Sequence, residues 1–306
     1  MDNWDLIIIG GGPAGLTAGM YAARARLKTL LLEGGAIGGQ ATTTDWIENY
    51  PGFPEGVSGF ELMYSFQQQA ERFGLEIRYE EVQGLGLAGG VKTVSTPEGS
   101  YQAKAIVIAS GARHRRLGVP GEAEFHGRGV SYCATCDGAF FLDSTVAVVG
   151  GGDAAVEEAV FLTRYASQVY LVHRRDKLRA TSILQERALG NPKITPCWNS
   201  TVDEIKGENR VAALVLNDVK TRDKRELKVD GVFVYVGIDP NTAFLGDEIR
   251  RSQEGYVWVD ETLQTSVPGV FAAGDVRDKD LRQVATAVGD GALVVFSVER
   301  YLTNLE

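Results

Sequence analysis

The sequence predicts an α/β chain of two Rossmann-like dinucleotide-binding domains, the second inserted in the first. Three observations carry this: two glycine-rich loops whose first glycines, Gly10 and Gly150, stand 140 positions apart, a wholly apolar run directly before each, and strand-like runs near both ends of the chain that frame a central segment. Residues 6–9 are apolar throughout, as a strand buried on both faces of a parallel sheet requires. Gly10-Gly11-Gly12-Pro13-Ala14-Gly15 follows at once and fits G-x-G-x-x-G. A helical stretch over 16–25 and an apolar strand over 29–32 complete a β-α-β unit. Glu33 closes that strand, where a carboxylate accepts hydrogen bonds from ribose hydroxyls.

The pattern returns with an apolar strand over 145–149, then Gly150-Gly151-Gly152-Asp153-Ala154-Ala155, a helix over 156–165 and a strand over 170–172. Position 23 after the first glycine is Glu33 in the first loop and His173 in the second, where Arg174 and Arg175 follow and Arg179 lies close by. A carboxylate there would repel a ribose 2′-phosphate, whereas adjacent guanidiniums bind one in bidentate fashion. The second loop is therefore expected to take NADP(H) in preference to NAD(H).

Strands over 105–109 and 232–236 end in Ser110-Gly111 and Gly237, where the chain can pass between domains. A strand over 270–273, closed by Gly274-Asp275, and a helix over 283–302 return to the first domain. The expected division is thus 1–113 with 242–306, enclosing 114–241. Gly89-Gly90 and the run from Pro97 to Gly99 punctuate hairpin turns in the first domain. Two domains also suit the length, since 306 residues exceed what one hydrophobic core usually fills.

Composition narrows the function. With 44% hydrophobic and 23% charged residues the chain reads as globular. Its 31 Lys and Arg against 40 Asp and Glu give a net charge of −9, which opposes nucleic acid and anionic membrane surfaces. The residues from Met1 to Asp5 carry no basic stretch or cleavage site, and no apolar run approaches the ~18 residues of a membrane span. The expectation is a cytoplasmic protein.

Three cysteines cannot form a secreted disulfide framework, yet two stand as Cys133-Ala134-Thr135-Cys136, followed by Asp137. A CxxC is half a zinc site, a redox couple or coincidence. No second CxxC or Cys/His pair stands at ligand spacing, so no metal is expected. A dithiol, a carboxyl group and two dinucleotide sites instead make a path for two electrons, from nicotinamide to a flavin, from flavin to disulfide, and from dithiol to an external acceptor. Cys197 is expected to be a buried, inert small hydrophobe. His114 and His126 are expected to be polar loop residues.

Here the sequence resembles the low-molecular-weight, bacterial-type thioredoxin reductases, within the pyridine nucleotide-disulfide oxidoreductases, over essentially its whole length. The resemblance rests on the first glycine loop, Gly38-Gly39-Gln40, Glu48-Asn49-Tyr50-Pro51-Gly52, Cys133-Ala134-Thr135-Cys136-Asp137-Gly138, and the second glycine loop with Glu157-Glu158-Ala159. His173-Arg174-Arg175 with Arg179, Val270-Phe271-Ala272-Ala273-Gly274-Asp275 and Arg282-Gln283 complete it.

It implies FAD in residues 1–113 and 242–306, NADPH in 114–241, a homodimer, and thioredoxin or a thioredoxin-like protein as partner. It implies Cys133 as the thiol that attacks the partner disulfide, Cys136 as the flavin-facing thiol and Asp137 as the acid-base residue. On the FAD side the implied contacts are Gly10, Gly12, Pro13, Ala14, Gly15 and Glu33. Gly39, Gln40, Asn49 and Val82 join them, as do Gly274, Asp275, Arg282, Gln283 and Val284. On the NADPH side they are Gly150, Gly152, Asp153, Ala154, Glu157, His173, Arg174, Arg175 and Arg179.

The family also implies a swivel between two arrangements, which two short crossings near Ala112 and Asp239-Pro240 make plausible as a hinge. Three departures stand out. Ala139 replaces an aromatic, Tyr132 is bulkier than the usual small residue before the first cysteine, and Asp45-Trp46 replaces a threonine-rich loop. Two rival readings remain: the same flavin–disulfide core with ferredoxin or reduced flavin as donor, or another acceptor, and a non-catalytic NADP(H)-sensing module.

Overall fold

The computed structural model describes residues 3–44, 46–47 and 49–305, leaving aside the side chains of Thr43, Thr135 and Cys136. The chain divides into two compact units, Met1–Arg113 with Asp239–Glu306, and His114–Ile238. The first unit opens with strand β1 (Asn3–Ile9), helix α1 (Pro13–Arg24) and strand β2 (Thr29–Leu32). Helix α1 begins three residues before the expected start. Gly12 serves as N-cap and Pro13 takes the first turn, where a missing N–H costs nothing. Helix α2 (Gly59–Arg72) is capped by Ser58, whose hydroxyl accepts from the Glu61 N–H. Then come β3 (Glu76–Arg78), β4 (Gly84–Gly86), β5 (Lys92–Thr96) and the long β6 (Gly99–Ile108). β4, β5 and β6 form an antiparallel meander through the two hairpin turns expected from glycine and proline.

A short strand, β7 (Ala112–His114), carries the chain onward. The second unit then holds β8 (Val130–Ser131), α3 (Ala134–Asp137), β9 (Thr145–Gly150), α4 (Asp153–Leu162), β10 (Gln168–Val172), α5 (Ser182–Leu189) and β11 (Ile194–Cys197). An antiparallel meander of β12 (Ser200–Gly207), β13 (Val211–Asp218) and β14 (Lys224–Lys228) precedes β15 (Gly231–Tyr235). The central sheet has the order β11-β10-β9-β15-β8 and is parallel throughout. Its core strands β9 and β15 are almost wholly apolar because helices and the meander cover both faces.

The return runs through β16 (Ile238–Pro240), which pairs with β7. The second unit therefore closes at Ile238, slightly before the expected 241. β17 (Val270–Ala272) adds in parallel to the end of β6, and helix α6 (Val284–Thr303) follows. The first sheet has the order β3-β2-β1-β6-β5-β4 with β17 on β6. One face packs on α1 and α6 through Leu16, Ala18, Phe271, Val294 and Val298; the other buries Ile7, Leu30, Ile106 and Val270.

Candidate dinucleotide and disulfide sites

In the first unit the loop between β1 and α1 is shaped by close approach. Gly10 has φ +104°, and a methyl at Gly15 would lie 1.8 Å from the Gly10 carbonyl oxygen, so only hydrogen fits where α1 meets the strand. Gly12 faces open space, as a backbone must where a pyrophosphate approaches a helix N-terminus. The Glu33 carboxylate accepts from the Gly11 and Gly35 N–H groups, each at 2.7 Å, which fixes it beside the loop.

Gly38, Gly39 and Gly274 approach the same loop, and the other predicted residues lie elsewhere in this unit. The Gly38 N–H donates to the Gly11 carbonyl, and the Cβ position of Gly39 falls 3.6 Å from Gly12 Cα. Gly274, at φ +79°, abuts Ala14. Asn49 Nδ2 donates to Gln283 Oε1 at 2.9 Å, and Gln283 caps α6 in a reciprocal box with Thr286. Val284 packs over Ala41, Ile47, Val57, Leu62 and Met63, and Val82 lies against the Ile7 side of the sheet. Asp45 and Glu48 fall outside the described residues. Trp46 donates its indole N–H to the Glu55 carbonyl.

Two buried polar atoms here make no hydrogen bond: Arg282 Nε, and Asp275 Oδ1, which has only the long ion pair with Lys279 Nζ at 3.5 Å. Such orphans are rare in folded proteins and fit a polar ligand that supplies the missing hydrogen bonds, as the hydroxyls and carbonyls of FAD can. Burial pushes the Asp275 carboxyl upward despite Lys279 at 3.5 Å. The turn that carries it is held by Asp290 on α6, a residue without a sequence signal. Asp290 accepts from the Gly274 N–H, twice from Arg277 at 2.7 Å, and from Lys279 at 3.2 Å. Burial alone would raise Asp290, but the Arg277 hydrogen bonds and the Lys279 charge hold it below the usual carboxylate range.

The second unit repeats the arrangement with other chemistry. Gly152 again faces open space and again N-caps its helix, so α4 starts at Asp153 rather than at the expected 156. A methyl on Gly151 would strike the His173 ring. The Arg179 and Ala180 N–H groups donate to the Gly151 carbonyl, and Asp153 Oδ1 accepts from the Thr181 N–H, which draws the loop of Arg179 onto the glycines. Ala154 and Glu157 are exposed on α4. A cavity of about 330 Å³ opens here, lined by Arg115, Arg116, His173, Arg174, Arg179 and Tyr235. Arg174, Arg175 and Arg179 are exposed and make no ion pair among the described residues. His173 Nε2 is buried without a partner. An unpaired basic rim over an orphaned ring nitrogen fits a phosphorylated ribose. Burial, with the Arg179 and Arg175 charges, lowers the His173 pKa.

In the same unit Cys133 is disulfide-bonded, directly before α3. The Cys136 side chain lies outside the described residues. Ser131 Oγ donates to the Cys133 carbonyl and accepts from its N–H, while the Asp137 N–H donates to the Cys133 carbonyl. Tyr132 gives its hydroxyl proton to Glu122 at 2.7 Å, and buried Glu122 also accepts from the Leu117 and Gly118 N–H groups. The bulk of Tyr132 therefore serves to tie down the loop that enters this unit. Phe141 is buried edge-on to Phe233, whereas Phe140 is 80% exposed beside the exposed Ala139.

His114 departs from the expected polar loop residue: it ends β7 with its ring edge-on to Tyr235 at 5.7 Å, and burial lowers its pKa. His126 is exposed, 5.6 Å from the Tyr132 ring. Cys197 is a buried free thiol whose pKa burial raises.

Residues 4–291 match the family described as pyridine nucleotide-disulphide oxidoreductase. The chain is 48% identical over 304 residues to a thioredoxin reductase of Treponema pallidum (strain Nichols), covering 99% of each. It is also 48% identical over 304 residues to a thioredoxin reductase of Bacillus subtilis (strain 168), covering 99% of this chain and 96% of that one. The solved structure of Lactococcus lactis thioredoxin reductase superposes with a TM-score of 0.96 at 46% identity, over 98% of this chain and 99% of that one. That of T. acidophilum thioredoxin reductase gives 0.93 at 34% identity, over the full length of both. With two glycine loops, a disulfide-bonded Cys133 and this likeness along its length, the chain belongs to the pyridine nucleotide-disulphide oxidoreductase family, among the low-molecular-weight thioredoxin reductases.

Proposed function

We propose that this chain is an NADPH-dependent flavoprotein that reduces the disulfide of thioredoxin. The observation that carries the reading is the disulfide-bonded Cys133, one turn before Asp137, in the same unit as a glycine loop beside the exposed Arg174 and Arg179. FAD, when bound, couples the hydride chemistry of NADPH to the two-electron chemistry of a disulfide. Gly10, Gly12, Pro13, Ala14 and Gly15 let the FAD pyrophosphate approach α1, and Glu33 accepts from its ribose. Gly39, Gln40, Asn49, Val82, Gly274, Asp275, Arg282, Gln283 and Val284 hold the rest of that cofactor. Gly150, Gly152, Asp153, Ala154 and Glu157 form the NADPH loop, and His173, Arg174, Arg175 and Arg179 hold its 2′-phosphate. This basic rim favours NADPH over ferredoxin or reduced flavin as donor.

In the reduced enzyme the Cys133 thiolate attacks one sulfur of the partner disulfide. A Cys133–partner S–S bond forms as the partner's own S–S bond breaks, and one partner thiolate leaves. The Cys136 thiolate then attacks Cys133 Sγ, which restores the Cys133–Cys136 disulfide and releases the second partner thiolate. Two electrons and two protons have passed to the partner, with Asp137 as the group that exchanges protons. Exposed Phe140 offers an apolar contact next to this turn. Exposed Phe60 and Tyr64 on α2, with Leu293 and Phe296 on α6, are apolar surface of the kind that a second copy of the chain covers in a homodimer. No helix among the described residues is long and apolar enough to cross a membrane, which accords with a cytoplasmic site of action.

The test is steady-state turnover with NADPH, FAD-loaded protein and oxidised thioredoxin. Wild type should reduce thioredoxin, and Cys133→Ser should lose at least ~10³-fold, because no thiol then reaches the partner. Cys136→Ser should instead trap a reducible covalent adduct on a non-reducing gel. Full thioredoxin turnover by Cys133→Ser would overturn the reading.

A further inference from the structure

We infer that Tyr235 is a positioning residue that holds the redox turn in its disulfide form. The inference rests on the thiol relay proposed above and adds a residue to it. Tyr235 ends β15, and its hydroxyl oxygen accepts a hydrogen bond from the Ala134 N–H at 2.9 Å, across 101 residues of sequence. Ala134 is the first residue of α3 and follows the disulfide-bonded Cys133 directly. It is fully buried, so its N–H has no water to turn to. The first N–H groups of a helix have no acceptor within the helix, and a buried one without an outside acceptor is costly.

The tyrosine itself is fixed from several sides. Its main chain pairs in register with Gly150, the first glycine of the second loop, and its ring lies edge-on to His114 and lines the cavity beside Gly151. Burial, with the negative charges of Glu158 on α4 and Asp137 on the redox turn, raises its pKa, so the hydroxyl stays neutral. A rigid neutral acceptor is thus set against the N–H that neighbours the reactive sulfur. Because the bond is made while Cys133 is oxidised, it stabilises the disulfide relative to a dithiol turn freed of its cross-link. By linkage, it also makes the dithiol a stronger reductant toward the partner.

The test compares wild type with Tyr235→Phe, which keeps the ring and removes only the acceptor. FAD-loaded protein is equilibrated anaerobically in glutathione buffers and its free thiols are counted by alkylation and mass. Half-oxidation of the variant is expected at a ratio of squared glutathione to glutathione disulfide about tenfold lower than in wild type, the effect of leaving one buried N–H unsatisfied. Thioredoxin turnover should fall correspondingly.

An unchanged half-oxidation ratio overturns the inference. A wild type that does not reduce thioredoxin overturns the proposed function instead, and the glutathione comparison still decides the role of Tyr235. Should Tyr235→Phe not fold, amide exchange in wild type decides: the Ala134 N–H is expected to exchange about tenfold more slowly in the oxidised than in the reduced enzyme, and equal rates overturn the inference.

Discussion

The two glycine loops share one backbone plan, and they differ in two places. At the end of the second strand the first loop has Glu33, whose oxygens are already engaged by the Gly11 and Gly35 N–H groups. The second has His173 packed over Gly151, with three exposed arginines beyond it. A carboxylate pinned by amides suits hydroxyl donors, whereas an exposed basic rim suits a phosphate. The sixth position differs as well. The carbonyl of Gly10 excludes any side chain at Gly15, whereas the second loop accommodates the methyl of Ala155. Helix and strand therefore meet more closely in the first unit, and ligand preference can change without any change of fold.

The largest effect should come from that close meeting. Gly15→Ala must push α1 off the Gly10 carbonyl, at a cost of about 3 kcal/mol, and should yield protein that loses FAD on gel filtration. The mirror change, Ala155→Gly, should cost about 1 kcal/mol at most in a denaturant titration and leave the NADPH Michaelis constant within about twofold. Equal costs would mean that the two loops are packed alike. Next in size is the basic rim: Arg174→Ala with Arg175→Ala should raise the NADPH Michaelis constant at least about tenfold and leave NADH use nearly unchanged. A parallel loss with both donors would move the preference elsewhere.

The smallest effect concerns His173. Its folded pKa is depressed, so between the unfolded value near ~6.5 and the lower folded value the unfolded chain binds the extra proton. Its contribution is complete above about pH 6.5 and is lost as pH falls toward the folded pKa. The thermal midpoint of wild type should drop between about pH 7 and pH 5.5, and His173→Asn should flatten part of that slope.

The architecture is legible because apolar runs and glycines are local signals: the apolar run over 29–32 matches β2 to the residue, and each glycine loop is followed by its helix. Both helices start three residues earlier than the sequence pattern suggests, because a glycine N-cap and an N1 proline or aspartate look like loop in sequence. What stayed hidden acts at long range. Ala134 and Tyr235 meet across 101 residues, and Tyr235 closes an apolar run that reads only as a strand. Asp290 sits in the middle of α6, where an acidic residue reads as solvated, and its burial against Arg277 and Lys279 appears only when the chain returns to the first sheet. Glu122 was equally silent, because two of its three donors are main-chain amides.

The order in which the ribosome delivers these pieces differs for the two units. The core of the first unit draws on Phe271 of β17 and on Val294, Val295 and Val298 of α6, so residues 1–113 emerge with one face of their sheet uncovered. The second unit is continuous from His114 to Ile238 and has every strand of its central sheet once Tyr235 is made. During synthesis the second unit can complete its fold first, while the first unit waits for its last strand and helix with an apolar face exposed to misfolding and to chaperones.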